Sequence, residues 1–273
     1  MKQKLVVLIF LFAIIVSNFS LVWAVNFYDG VRAGKGLYFL TYTSYYYADK
    51  RTDANADTLY SDYDYKKIEQ IFRICYYTTD AMFTIVLPIT KVTCGFFDQK
   101  ASAVGDIIIG AGRFLPTKKI DILPSIFVKL PTGEYESAKA INVGTNQYDI
   151  RPTIFIYKGL GRFSIDASFR YFIRLENQST GIRPGNEWHL QGLLGFAITE
   201  RLKVGPSLNW MISEPQKKES KNIANTKRES VSAGFDIYFR IPPIGITVTW
   251  LSDVYAKNLT KGDFFQIKTC YKF

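Results

Sequence analysis

The chain of 273 residues carries a single histidine, and acid–base or metal chemistry would have to start from it. His189 stands in EWHLQGLLGFAIT, where neighbouring positions divide by polarity. Glu187, His189, Gln191 and Thr199 fall on one side, and Trp188, Leu190, Leu194, Phe196 and Ile198 on the other. Successive side chains of a strand point to opposite faces, so this is a strand with His189 on its polar face. A lipase embedded in a membrane wall would need a serine and a histidine facing lipid. His189 has the opposite register, and no serine stands one strand-step away on an outer face. It reads as a hydrogen-bonded structural histidine. Cys75, Cys94 and Cys270 are too few and too irregular for a disulfide scaffold or a metal site. Cys75 and Cys94 fall at opposite ends of neighbouring strands, beyond bridging reach. Carboxylates are plentiful, but no pair is set apart as general acid and base, and no glycine loop leads from a strand into a phosphate-binding helix. The acids Asp49, Asp53, Asp57, Asp62 and Asp64 lie near Tyr60, Tyr63 and Tyr65, without the regular spacing of a calcium loop. The expectation is a protein that is not an enzyme and has no metal or cofactor.

The element that positions such residues is clearest in RFSIDASFRYFIRLE, Arg162 to Glu176. Phe163, Ile165, Ala167, Phe169, Tyr171, Ile173 and Leu175 form an uncharged face. Arg162, Ser164, Asp166, Ser168, Arg170, Arg174 and Glu176 form the other, which Phe172 shares. A helical period mixes these types on every side, whereas period two separates them. The run is longer than the five or six residues common in globular strands. One oily and one charged face over this length suits a wall between lipid and water.

The same template marks about twelve segments, near 36–48, 65–78, 81–94, 105–115, 121–131, 146–157, 162–175, 187–199, 202–213, 229–241, 244–255 and 263–273. Ten and fourteen are the neighbouring possibilities. Segments 81–94 and 105–115 are apolar on both faces. The connections alternate. Short turns lie at Thr79-Asp80, 116–120, 158–161, Glu200-Arg201 and Pro242-Pro243, and long links at 49–64, 95–104, 132–145, 176–186, 214–228 and 256–262. Short periplasmic turns and longer extracellular loops are the signature of a transmembrane antiparallel β-barrel. A soluble sandwich has no reason to alternate in this way. The expected fold is therefore all-β, one barrel over residues 36–273.

The termini agree. Lys2 and Lys4 precede the apolar run Leu5–Val16. Ser17, Asn18 and Ser20 interrupt it, and Val22-Trp23-Ala24 offers small residues for cleavage. Residues 1–24 thus read as a signal peptide, too short and too interrupted for a transmembrane anchor. Residues 25–35 would be a periplasmic or lumen-plugging segment. At the other end Phe265, Ile267, Thr269, Tyr271 and Phe273 alternate with Gln266, Lys268, Cys270 and Lys272. A terminal aromatic in this register is similar to the signal read by the outer-membrane assembly machinery. The location expected is the outer membrane of a Gram-negative cell. Aromatic residues make up 16% of the chain, which suits girdles at two interfaces. Mean hydropathy of +0.00 does not argue against a barrel, because the two faces average out. The net charge of +10 loses two units with Lys2 and Lys4. An exported chain meets no nucleic acid, so anionic lipid is the expected partner of the remaining positive charge.

Four stretches resemble a known family: GKGLYFLTYTSYYYADK, the start Gly105-Asp106-Ile107, PSIFVKLPTGEY and GRFSIDASFRYFIR. They are similar to the meta-pathway phenol-degradation family of outer-membrane barrel transporters, distantly similar to the long-chain fatty-acid transporter. That family often has proline before its first strand, where this chain has Ala33-Gly34-Lys35-Gly36. The resemblance implies passive uptake of small hydrophobic or aromatic compounds; phenol belongs to the family name and is not read as the substrate. The competing function is a structural or surface-interaction barrel with a closed lumen, and more remotely an outer-membrane enzyme.

On inward registers lie Arg73, Lys129, Asp149, Arg151, Asp166, Arg170, Arg174, Glu187, His189, Lys203, Asp236, Arg240 and Lys268. These are the candidate pore-lining residues. Charges of both signs in a narrow lumen should pair across strands, because an unpaired charge away from water is costly. The loop EPQKKESKNIANTKR offers Lys217, Lys218, Lys221, Lys227 and Arg228 as candidate contacts to lipopolysaccharide phosphates.

Overall fold

The computed structural model describes residues 25–273; the signal peptide expected over residues 1–24 lies outside the described residues. Twelve antiparallel staves close into a barrel. They are β1 (Gly36–Thr52), β2 (Tyr65–Tyr77), β3 (Ala81–Cys94), β4 (Gln99–Val104 and Ile108–Arg113), β5 (Asp121–Lys129) and β6 (Asp149–Leu160). Then follow β7 (Phe163–Arg174), β8 (Glu187–Ala197), β9 (Leu202–Ser213), β10 (Glu229–Ile241), β11 (Ile244–Lys257) and β12 (Thr260–Lys272). β1 pairs with β12 from Tyr38↔Lys272 to Arg51↔Thr260, which removes the sheet edge.

Alternation fixes which face meets what. Along β7, Phe163, Ile165 and Phe169 are outward, while Ser164, Asp166, Ser168 and Arg170 are buried inside. A one-residue slip would reverse this along the whole stave, so the register is strongly specified. Outside the barrel, exposed aromatics gather near both ends. Tyr45, Tyr47, Tyr148, Trp188 and Tyr255 lie toward the long loops, and Tyr76, Phe83, Phe163, Phe239, Tyr271 and Phe273 toward the short turns. Between them the exterior carries Ile85, Ile126, Leu194, Leu208 and Ile267. This is the architecture of an outer-membrane barrel, with a lipid-facing band between two aromatic girdles.

The main correction to the strand reading falls on β4. Residues 99–104, expected in a loop, pair with β3 from Ile89↔Val104 to Cys94↔Gln99. The lower half pairs with β3 from Val86↔Ile108 to Ala81↔Arg113 and also with β5. The upper half has β3 as its only sheet partner among the described residues, because the chain leaves the wall after Lys129. The stave is broken at Gly105-Asp106-Ile107, where Asp106 turns inward. Its outward residues Lys100 and Ser102 stand near the long-loop end, above the oily band, which is why the sequence there reads as a link.

The interior has two tones. Leu40, Tyr42, Ile71, Cys75, Met82, Val86, Ile108, Leu123, Phe127 and Phe155 form an apolar cluster on β1 to β6. The charged residues concentrate on β5 to β10. The double apolarity of β3 and β4 in the sequence reflects this: one face meets lipid and the other lines the apolar side of the lumen.

Candidate functional site: the barrel lumen

Three segments that are not staves of the wall shape the lumen. The first is Val25 to Ala33, seated at the short-turn end. Asn26 donates to Asp236 at 3.1 Å and to Thr249 at 2.9 Å. The Tyr28 amide donates to Asp166 at 2.7 Å, and Asp29 pairs with Lys268 at 2.5 Å. Phe27 is buried, and Tyr28 packs edge-on against Tyr238 at 5.0 Å. Burial pushes the Tyr28 phenol above its usual range, and the Asp166 carboxylate adds to the shift. Arg32 anchors the exit of the segment, its amide on Asp121 at 2.9 Å and its guanidinium on the Leu115 carbonyl at 2.8 Å.

The second is the link 130–148, which folds inward under the control of Asp106. That carboxylate accepts the Gly133 amide at 2.9 Å, the Thr145 amide at 3.0 Å and the Thr145 hydroxyl at 2.7 Å. Lys129 adds an ion pair at 3.2 Å. The two ends of the link meet at Gly133 and Gly144, where a Cβ on Gly144 would lie 2.3 Å from the Gly133 carbonyl oxygen. No side chain fits there. Gly144→Val should unseat the link and expose it to added protease in reconstituted vesicles; protection equal to the wild type would contradict this contact's role.

The third is a small sheet tying links 176–186 and 214–228 together through Ile182↔Lys218 and Arg183↔Lys217. Beside it, Arg228 continues the pairing of β9 with β10, its amide donating to Ser213 Oγ at 2.8 Å and its carbonyl accepting the Ser213 amide at 2.8 Å. Arg228 is buried and bonded to Glu187, so it is withdrawn from the residues offered to lipid phosphates. Its parity with the inward Ser230 and Ser232 is the sequence signal for this placement. Lys218, Lys221 and Lys227 stay exposed, and Lys217 is half-buried.

Beneath these segments lies an ion-pair network with two acidic hubs. Asp149 meets Arg151 at 2.9 Å, Lys129 at 3.2 Å and Arg174 at 3.7 Å. Glu187 meets Arg174 at 2.8 Å, His189 Nε2 at 3.0 Å and Arg228. Both hubs are wholly buried. The cross-strand pairing expected for the lumen is realised here, and Asp106, absent from the sequence candidates, is its third acid. His189 also packs on Phe172, with ring centres 4.4 Å apart. Lys203, Asp166, Asp236 and Lys268 serve the N-terminal segment instead, and Arg240 lines the mouth below it. Among the described residues no group of three or more His, Cys, Asp or Glu side chains is arranged to hold a metal.

Four chambers follow one another through shared walls. An apolar one of about 110 Å³ lies among Tyr46, Tyr65, Met211, Leu251, Leu259 and Phe264. Tyr65, Lys67 and Glu69 also line the next, of about 50 Å³, under the inward link. Ile108 and Arg151 connect this to the narrowest, of about 30 Å³. Asp29 and Arg73 connect that in turn to a vestibule of about 730 Å³ at the short-turn end. Arg73 and Arg170 both face the narrow chamber. Arg73 is held by Thr84 at 3.0 Å and Tyr42 at 3.4 Å, both neutral. Arg170 Nε is buried without a hydrogen-bond partner, its guanidinium lying 5.4 Å from the Phe155 ring centre.

Known structures share this architecture. An outer-membrane channel from Pseudomonas putida F1 superposes with a TM-score of 0.83 at 15% identity, over 91% of this chain and 100% of that one. The NanC porin superposes with a TM-score of 0.52 at 8% identity, over 86% of this chain and 100% of that one. At these identities the likeness is one of fold. No curated protein matches the sequence. A family model does match, over residues 19–269, and the chain therefore belongs to the family described as "Putative MetA-pathway of phenol degradation".

Proposed function

We propose that this protein is a passive outer-membrane channel for small hydrophobic or aromatic compounds. The observation that carries the reading is a lumen with an apolar and a charged side, along which successive chambers share wall residues. A solute with a ring and one polar group finds both kinds of contact along that route, whereas a wholly polar lumen would favour sugars or ions. The P. putida relative of the same fold is itself an outer-membrane channel, which supports the reading. Val25 to Ala33 acts as a plug at the periplasmic mouth once the signal peptide has been removed before Val25. Lys218, Lys221 and Lys227 meet lipopolysaccharide phosphates, and Phe273 presents the chain to the assembly machinery.

The test is phenol uptake into vesicles whose outer leaflet is lipopolysaccharide, a layer that slows unaided crossing. Protein-bearing vesicles should fill faster than empty ones. Equal rates would favour a closed, structural barrel.

A further inference from the structure

The narrow chamber has a composition that the ion-pair network does not explain. Three guanidinium groups border it, from Arg73, Arg151 and Arg170. Arg151 is committed to Asp149. Among the described residues, neither Arg73 nor Arg170 has a carboxylate within ion-pair distance. The one carboxylate lining the chamber is Asp29 of the N-terminal segment, already paired with Lys268. Both arginines are buried, with about 8% of each exposed, so their charge is poorly answered by water. The remaining walls are largely rings. Phe127 and Phe155 meet edge-on at 6.2 Å, and the Arg151 guanidinium lies 4.4 Å from the Phe172 ring centre.

We infer that this chamber is a binding site for small aromatic carboxylates. The inference rests on the channel reading and narrows its substrate class. A carboxylate would supply the anion that Arg73 and Arg170 lack, and charge-assisted hydrogen bonds to guanidinium are the strong kind. An attached ring would pack among Phe127, Phe155 and Phe172 in edge or offset contact. The chamber as it stands, about 30 Å³, holds water but no ring; an apolar cavity that admits benzene measures about 150 Å³. The ligand must therefore displace something, and Asp29 is the group in its place. Phe27, Tyr28 and Asp29 already bring two rings and a carboxylate to this end of the lumen, so the plug occupies the route with the chemistry of the solute it excludes.

The test uses 4-fluorobenzoate, 4-fluorobenzamide and fluoroacetate with the full mature protein in micelles, followed by fluorine relaxation. Fluorobenzoate should bind about tenfold tighter than either of the others, one lacking the charge and the other the ring. Arg170→Met, checked for folding by heat-modifiable migration on a gel, should bring benzoate to the level of the amide, and Arg170→Lys should restore part of the difference. Equal binding of benzoate and benzamide overturns the site, as does fluoroacetate binding as well as benzoate, which would mark an inorganic-anion pocket. An unchanged benzoate preference in Arg170→Met also overturns it. Preferential binding without phenol uptake by vesicles supports the site and removes the channel reading. Phenol uptake without benzoate preference does the reverse.

Discussion

Glu187→Ala should lower the unfolding free energy by about 3–5 kcal/mol, the range for removing one partner of a buried ion pair. Glu187 is wholly buried and answers Arg174, Arg228 and, when protonated, His189. Without it, Arg228 loses the carboxylate to which it is bonded, and Arg174 is left with Asp149 at 3.7 Å. Glu187 has no exposed surface, so the site of the lost carboxylate is shut off from bulk water in the folded protein. Arg228→Ala should be milder, since Glu187 would keep Arg174 and His189. Urea unfolding of the reconstituted protein gives both values. Equal effects of the two substitutions would show that the hub is not the determinant.

Deleting residues 26–33, which leaves the Ala24–Val25 junction intact, should raise single-channel conductance in planar bilayers several-fold. The segment fills the lumen between Asp166, Asp236 and Lys268 and supplies Asp29 to the narrow chamber. Its removal joins that chamber to the vestibule without an intervening peptide. The buried carboxylates Asp166 and Asp236 lose the donors that Tyr28 and Asn26 provide, so some stability should be lost as well. Unchanged conductance would mean that the resistance lies elsewhere, beneath the inward link at Asp106.

The staves were legible because period two leaves little freedom once one face meets lipid. The broken β4 was not legible. Above Gly105 its outward residues Lys100 and Ser102 leave the oily band, and the polarity contrast that marks a strand disappears. Asp106 escaped for a related reason: it stands in the break, where parity says nothing about direction. Asn26 and Asp29 lie in a segment with no period at all, and their partners on the barrel wall are more than 200 residues away in the chain. Arg228 was misplaced because a lysine-rich loop reads as solvated throughout, although counting back in twos from Ser232 turns it inward. The family resemblance drawn from four short stretches agrees with the match over residues 19–269. The apolar side of the lumen was present only as an ambiguity, the two oily faces of β3 and β4.

In the channel proposed above, solutes cross the barrel through the narrow chamber. Thr153, buried in that chamber's wall, is the position to test it. With Cys75, Cys94 and Cys270 replaced by alanine and Thr153 by cysteine, an anionic methanethiosulfonate reagent can be added to either face of a bilayer holding the protein. The thiol should react from both faces, and conductance should fall as it does. A thiol that reacts from neither face would contradict the route.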